Sequence, residues 1–150
     1  MLDGFEFDTR VRLHVYYHLL GSGRAPTAAE TAVALGANEG EVHDARRRLH
    51  DAHLLVLAPG STEVLMANPL SAVPTAFEVD AGGRTWYGNC IWDSLGVAAM
   101  LGVDATVRTP CPCCSEPMSV RVESQALAPS EGVVHFAVPA RHWWDDIGYT

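Results

Sequence analysis

An α+β protein is predicted, and three observations carry that prediction. Apolar residues recur at helical spacing through the first third of the chain. Short alternating runs separated by Gly or Pro turns fill the second half, and one apolar, helix-like segment interrupts them. The expected layout is an N-terminal winged-helix-like helical domain over residues 1–70, then a small antiparallel β-sheet domain with a packed helix over residues 71–150.

The first helix is expected from Asp8 to Leu20, where Val11, Leu13, Val15, Tyr16, Leu19 and Leu20 repeat and "GSGRAP" ends the run. Thr27 with Glu30 three residues on is a capping-box signature for a short second helix, and Gly36 stands where a C-cap belongs. Asn38 can cap a third helix, "EGEVHDARRRLHDAHLL", with Val42, Ala45, Leu49, Ala52 and His53 along one face. "LLVLAPGSTEVLMAN" then reads as strand, Pro-Gly turn, strand. Three helices followed by a hairpin form the winged-helix pattern. It would place Arg46, Arg47 and Arg48 where such domains meet the DNA major groove.

Charge argues against nucleic acid as a partner. Residues 1–70 hold six Arg against nine Asp and Glu, a balance of −3; the whole chain carries −8 and no Lys. The three arginines are therefore expected to form a solvated face paired with Glu39, Glu41, Asp44 and Asp51. The N-terminus has no basic leader with an apolar run, and no stretch approaches the roughly 18 apolar residues of a membrane span. A soluble cytoplasmic protein is expected, with no membrane partner.

"NPLSAVPTAFEV" marks a boundary near Ser71. Beyond it "TAFEVDAGGRTWYGN" should form two strands about an Ala-Gly-Gly turn, and Cys90 to Leu101 a helix ended by Gly102. "DATVRT", "MSVRVESQAL" and "GVVHFAVPA" are expected strands.

Four cysteines, three of them in "CPCC" at Cys111, Cys113 and Cys114, point to reduced thiols with metal or redox chemistry rather than a disulfide framework. If Asn89 caps its helix, Cys90 is the first helical residue, and the unpaired N–H groups there favour a thiolate. Asp93 lies one turn on, on the same face. A nucleophile and a proton carrier could then reach one substrate atom. The plainer alternative makes Cys90 a buried small hydrophobe and Asp93 a partner for helix N–H groups. His14 and His18 have the spacing of a helical metal pair, but these and His43, His50 and His53 read more simply as helix-surface histidines. His135 falls in an expected strand; Trp143 and Trp144, beside His142, could line an apolar pocket or fill the core.

The run "WYGNCIWDSLGVAAMLG" resembles the active-site helix of the organomercurial (alkylmercury) lyase family. "ATVRTPCPCCSEPMSVRV" is similar to the strand pair that follows in that family, and an N-terminal winged-helix-like domain precedes both. The resemblance implies protonolysis of a carbon–mercury bond, with Cys90 attacking mercury and Asp93 delivering a proton to the leaving carbon. In the family a second cysteine follows a segment that "PARHWWDDIGYT" resembles, whereas no Cys follows Cys114 here. The accessory thiol would come from Cys111, Cys113 or Cys114, or from outside these residues. No cofactor is implied. The expected partners are a small organometallic substrate and small thiols, and Hg(II) or another soft metal, with zinc as a weaker candidate, would bind through Cys90, Cys111, Cys113 and Cys114. Competing functions are a non-catalytic thiol-based metal-binding protein or sensor, another thiol-dependent enzyme, and a winged-helix transcription factor.

Overall fold

A computed structural model describes residues 4–148. The architecture is α+β, and the chain divides into two compact units, residues 1–68 and 69–150.

In the first unit, helix α1 (Gly4–Ser22) buries Val11, Val15 and Leu19, a stripe repeating every four residues, and leaves Leu13 exposed. Helix α2 (Ala28–Leu35) starts with the expected capping box: Thr27 Oγ1 accepts from Glu30 N, and the Glu30 carboxylate accepts from Thr27 N. Gly36 ends it at φ 66°, the left-handed cap position where a side chain would be strained. Helix α3 (Glu39–Asp51) has a second capping box, Asn38 with Glu41. It stops earlier than its apolar pattern suggests, because His53 turns left-handed at φ 59° and leaves the helical face. Strands β1 (Val56–Leu57) and β2 (Val64–Ala67) form the expected antiparallel hairpin.

The arginines of α3 depart from the solvated-face expectation. Arg47 does pair with Asp44 at 2.8 Å. Arg46 instead is fully buried: its guanidinium donates to Pro26 O at 2.8 Å, Thr62 O at 3.0 Å and Thr31 Oγ1 at 3.3 Å, tying α3 to the start of α2 and to the hairpin turn. Arg48 forks onto the Asp8 carboxylate of α1 at 2.6 and 2.9 Å. A buried cation needs such ready-made acceptors, and turn carbonyls far away in sequence provide them.

The second unit opens with the short strand β3 (Leu70–Ser71), whose Leu70 bridges to Gly88. Strands β4 (Glu78–Ala81), β5 (Arg84–Tyr87), β6 (Ala105–Pro110), β7 (Pro117–Glu123) and β8 (Ala126–Leu127) form an antiparallel sheet in the order β5-β4-β6-β7-β8. Val79, Ala81, Trp86, Ala105, Val107 and Val122 are buried, with alternate residues facing outward, and helix α4 (Ile91–Leu101) buries Ser94, Val97 and Ala98. The last expected strand does not form. After β8 the final rung is Ala128 N to Arg121 O at 2.9 Å; Pro129 then has no N–H to continue the ladder, and residues 129–138 run irregularly. His135 lies in that segment. A 3-10 turn (Ala140–Asp145) carries His142, Trp143 and Trp144. No helix among the described residues is long and apolar enough to cross a membrane.

Candidate active site

The start of α4 is built on a close approach. Gly88 N donates to Phe77 O at 3.0 Å, and Thr75 Oγ1 donates to Gly88 O at 2.6 Å, which fixes the chain leaving β5. A Cβ on Gly88 would lie 2.3 Å from Ser94 Oγ and 2.7 Å from Ser94 N, so only glycine allows the helix to come this near. Gly96 makes similar room, its Cβ position lying 3.1 Å from Pro69 Cβ.

Cys90, not Asn89, is the N-cap. Its backbone is extended (φ −148°, ψ −179°), and its carbonyl accepts the first helical bond from Ser94 N at 3.0 Å and a second from Ser94 Oγ at 3.0 Å. Asn89 is thereby freed for another task, and its Nδ2 donates to Asp93 Oδ2 at 3.0 Å. The Cys90 sulfur faces the N–H groups of Asp93 and Trp92 near enough to feel their dipoles, though not at cap hydrogen-bond geometry.

Of the two readings open for Cys90, the buried thiol holds. Burial pushes its pKa up, and the neighbouring Asp93 carboxylate adds to the rise, while the Asp93 and Trp92 N–H groups offset part of it. Asp93 is also raised, by burial, against the opposing Asn89 hydrogen bond. Helix-end dipoles favour a thiolate only where water or cations do not have to be given up for it. Here both groups favour their protonated forms. The site therefore sets a carboxyl of raised proton affinity within one helical turn of a soft nucleophile.

An aromatic row begins beside this pair. The ring of Trp92, 54% exposed, meets Phe136 edge-on at 5.9 Å, and Phe136 meets Trp143 at 5.4 Å, whose Nε1 donates to Val138 O at 2.9 Å. Phe136 and the hold of Asn89 on Asp93 escaped sequence reasoning; Gly88 in "YGNC" was the visible signal of a tight approach.

"CPCC" forms the turn joining β6 to β7. Cys111 N donates to Glu116 O at 2.8 Å, Ser115 N donates to Cys111 O at 2.8 Å, and Ser115 adopts φ 62°. All four cysteines are free thiols, with Cys111 half-buried and Cys113 and Cys114 exposed. The Cys113 and Cys114 N–H groups and the Cys114 thiol converge on the Cys111 sulfur and hold its pKa below the ordinary thiol value. Among the described residues no group of three or more His, Cys, Asp or Glu is arranged to hold a metal ion, so Cys90, Cys111, Cys113 and Cys114 do not form one preformed centre. His14 and His18 stand with ring centroids 5.9 Å apart, and His18 Nδ1 is already in contact with Arg24 O.

Register relates the two thiol sites. Tyr87 of β5 and Arg108 of β6 both lie level with Glu78 of the intervening β4, and Cys90 and Cys111 each follow three residues later. Both leave the same end of the sheet, two strand spacings or about 10 Å apart.

Comparison with known proteins adds three findings. The alkylmercury lyase family model matches residues 70–150. No curated protein matches. Among solved structures that match, the mercury-bound form of MerB2 gives a TM-score of 0.62 at 22% identity, covering 84% of this chain and 64% of that one. At that identity the likeness is one of fold, and the chain spans 64% of that neighbour's length.

Proposed function

Since this chain belongs to the alkylmercury lyase family, we propose that it cleaves carbon–mercury bonds with Cys90 as the mercury-binding nucleophile and Asp93 as the proton carrier. The observation that carries this reading is the pair itself: a half-buried thiol at the N-cap of α4 and, one turn on, a carboxyl whose pKa burial raises and which Asn89 holds in place.

Cys90 sulfur bonds to the mercury of an organomercurial, its proton leaving with the displaced ligand; a soft metal favours thiolate strongly enough to overcome the raised thiol pKa. Asp93 then transfers its proton to the carbon as the carbon–mercury bond breaks. The electron pair of that bond goes to the new C–H bond, the hydrocarbon departs, and Hg(II) stays on sulfur. Small thiols complete the cycle by drawing the ion off Cys90. Trp92 and Phe136 offer an apolar face for the organic group. The first unit, three helices followed by a hairpin, is read as a winged-helix-like arrangement in a supporting role, and the net charge of −8 fits a cationic or neutral rather than polyanionic partner.

The test is incubation of the reduced protein with an arylmercurial and excess small thiol, followed by quantification of the arene. Release is expected to need both residues, vanishing in Cys90→Ser and Asp93→Ala. Mercury uptake without arene would instead mark a thiol-based metal-binding protein on this scaffold.

A further inference from the structure

Three features stay outside the Cys90 chemistry: the buried Arg46, the His14/His18 pair, and the three-cysteine turn. Arg46 is absorbed by its carbonyl partners, and among the described residues the histidines gain no third ligand. The turn is different, because backbone hydrogen bonds already close it around its C-x-x-C spacing.

We propose that the β6–β7 turn is a second, separate metal site, a two-thiolate clamp for a soft d10 ion formed by Cys111 and Cys114, with Cys113 outside it. The geometry is that of a closed knuckle. Two backbone bonds of 2.8 Å, Cys111 N to Glu116 O and Ser115 N to Cys111 O, lock its ends, and the left-handed Ser115 turns the chain back into β7. The Pro110–Pro117 pair closes the ladder beneath it. Cys111 and Cys114 stand at C-x-x-C spacing within this closed turn, Cys111 half-buried and Cys114 exposed, both as free thiols. Cys113 lies between them, off that spacing, with its thiol exposed.

The same geometry selects the ion. Two metal–sulfur bonds of about 2.3 Å span at most roughly 4.6 Å, a reach that two thiols at C-x-x-C spacing in one closed turn can share. No further ligand completes the set among the described residues. Zinc demands four ligands, whereas Hg(II) and Cu(I) are satisfied by two soft ones. Binding follows Hg²⁺ + 2 RSH → Hg(SR)2 + 2 H⁺, or Cu⁺ + 2 RSH → [Cu(SR)2]⁻ + 2 H⁺, with no redox step and no co-reactant. The site is independent of carbon–mercury cleavage, so either can fail alone.

The test uses the full chain carrying Cys90→Ser, titrated with Hg(II) under competition from a small monothiol. One ion per chain is expected to remain bound, and titration with Hg(II) without the competing thiol should release two protons per ion bound. Adding Cys113→Ser should leave that retention unchanged, while adding Cys111→Ser or Cys114→Ser should weaken it by well over about tenfold, as one of two thiolate bonds is lost. Zn(II) should not be retained. In the unsubstituted chain, bound Hg(II) should shield Cys111 and Cys114, but not Cys113, from alkylation, a readout that does not depend on how the variants fold. Equal loss in Cys113→Ser and Cys114→Ser, retention of Zn(II), no retained Hg(II), or shielding of Cys113 would each overturn the proposal.

Discussion

Gly88→Ala should damage the site through sterics alone. Gly88 is not left-handed, so alanine brings no backbone strain; it brings a methyl group 2.3 Å from Ser94 Oγ, 2.7 Å from Ser94 N and 2.9 Å from Ser94 Cα. Carbon contacts settle at about 3.5–4.0 Å, so the first turn of α4 must retreat by roughly 0.6–1 Å. Ser94 Oγ can rotate away only by giving up its 3.0 Å bond to the Cys90 carbonyl, worth about 1 kcal/mol. Overpacking adds about 1–3 kcal/mol, for a total destabilisation of about 2–4 kcal/mol. Because the retreat moves Cys90 and Asp93 themselves, arene release should fall by up to about 100-fold. Urea unfolding and the arylmercurial assay measure the two effects. The control is Gly21→Ala, where nothing lies within 4 Å of the added carbon in helix α1, and a gain of about 0.5–1 kcal/mol is expected. If Gly88→Ala costs less than about 0.5 kcal/mol and leaves turnover intact, the close-approach argument is wrong.

Other outcomes follow from the burial of single groups. Arg46→Ala strips buried carbonyls of their donor and opens a void, and should destabilise the protein by about 2–5 kcal/mol in denaturant titration, whereas Arg47→Ala, on an exposed ion pair, should stay within about 0.5 kcal/mol. Mass-spectrometric mapping of alkylation at neutral pH should find Cys111 modified before Cys90, since turn N–H groups favour one thiolate and burial disfavours the other; the reverse order would contradict both assignments. Asp93→Asn should abolish arene release yet stabilise the fold. With the folded Asp93 pKa raised above the unfolded value of about 3.9, the native state binds more protons in between, so stability falls as pH climbs through that window. The advantage of the variant should thus be absent below about pH 4 and grow toward neutrality in pH-dependent denaturation.

Local signals in the chain were legible because local physics decides them. Thr27 with Glu30 and Asn38 with Glu41 close their capping boxes, Gly36 and Gly102 end their helices left-handed, and the Gly82-Gly83 turn joins β4 to β5. The spacing of Cys90 and Asp93 likewise placed both at one helix start. What failed were inferences that depend on distant parts of the chain. The surface stripe expected of Arg46 became a buried staple because carbonyls at Pro26 and Thr62, distant in sequence, converge on it. The strand expected through Val133 and Val134 lost its ladder after Pro129.

The amino-acid sequence by itself determined the α+β class, the helix caps and the residue types of both thiol groups, since these depend on neighbours within about four positions. Tertiary structure alone decided which way the Cys90 and Cys111 pKa values shift. The sequence left Cys90 open between a thiolate favoured by a helix N-terminus and a buried thiol; packing of α4 against Gly88 and the sheet withdraws it from water beside Asp93 and raises its pKa. Desolvation depends on what the rest of the chain brings to the site, and no local pattern of residues encodes that.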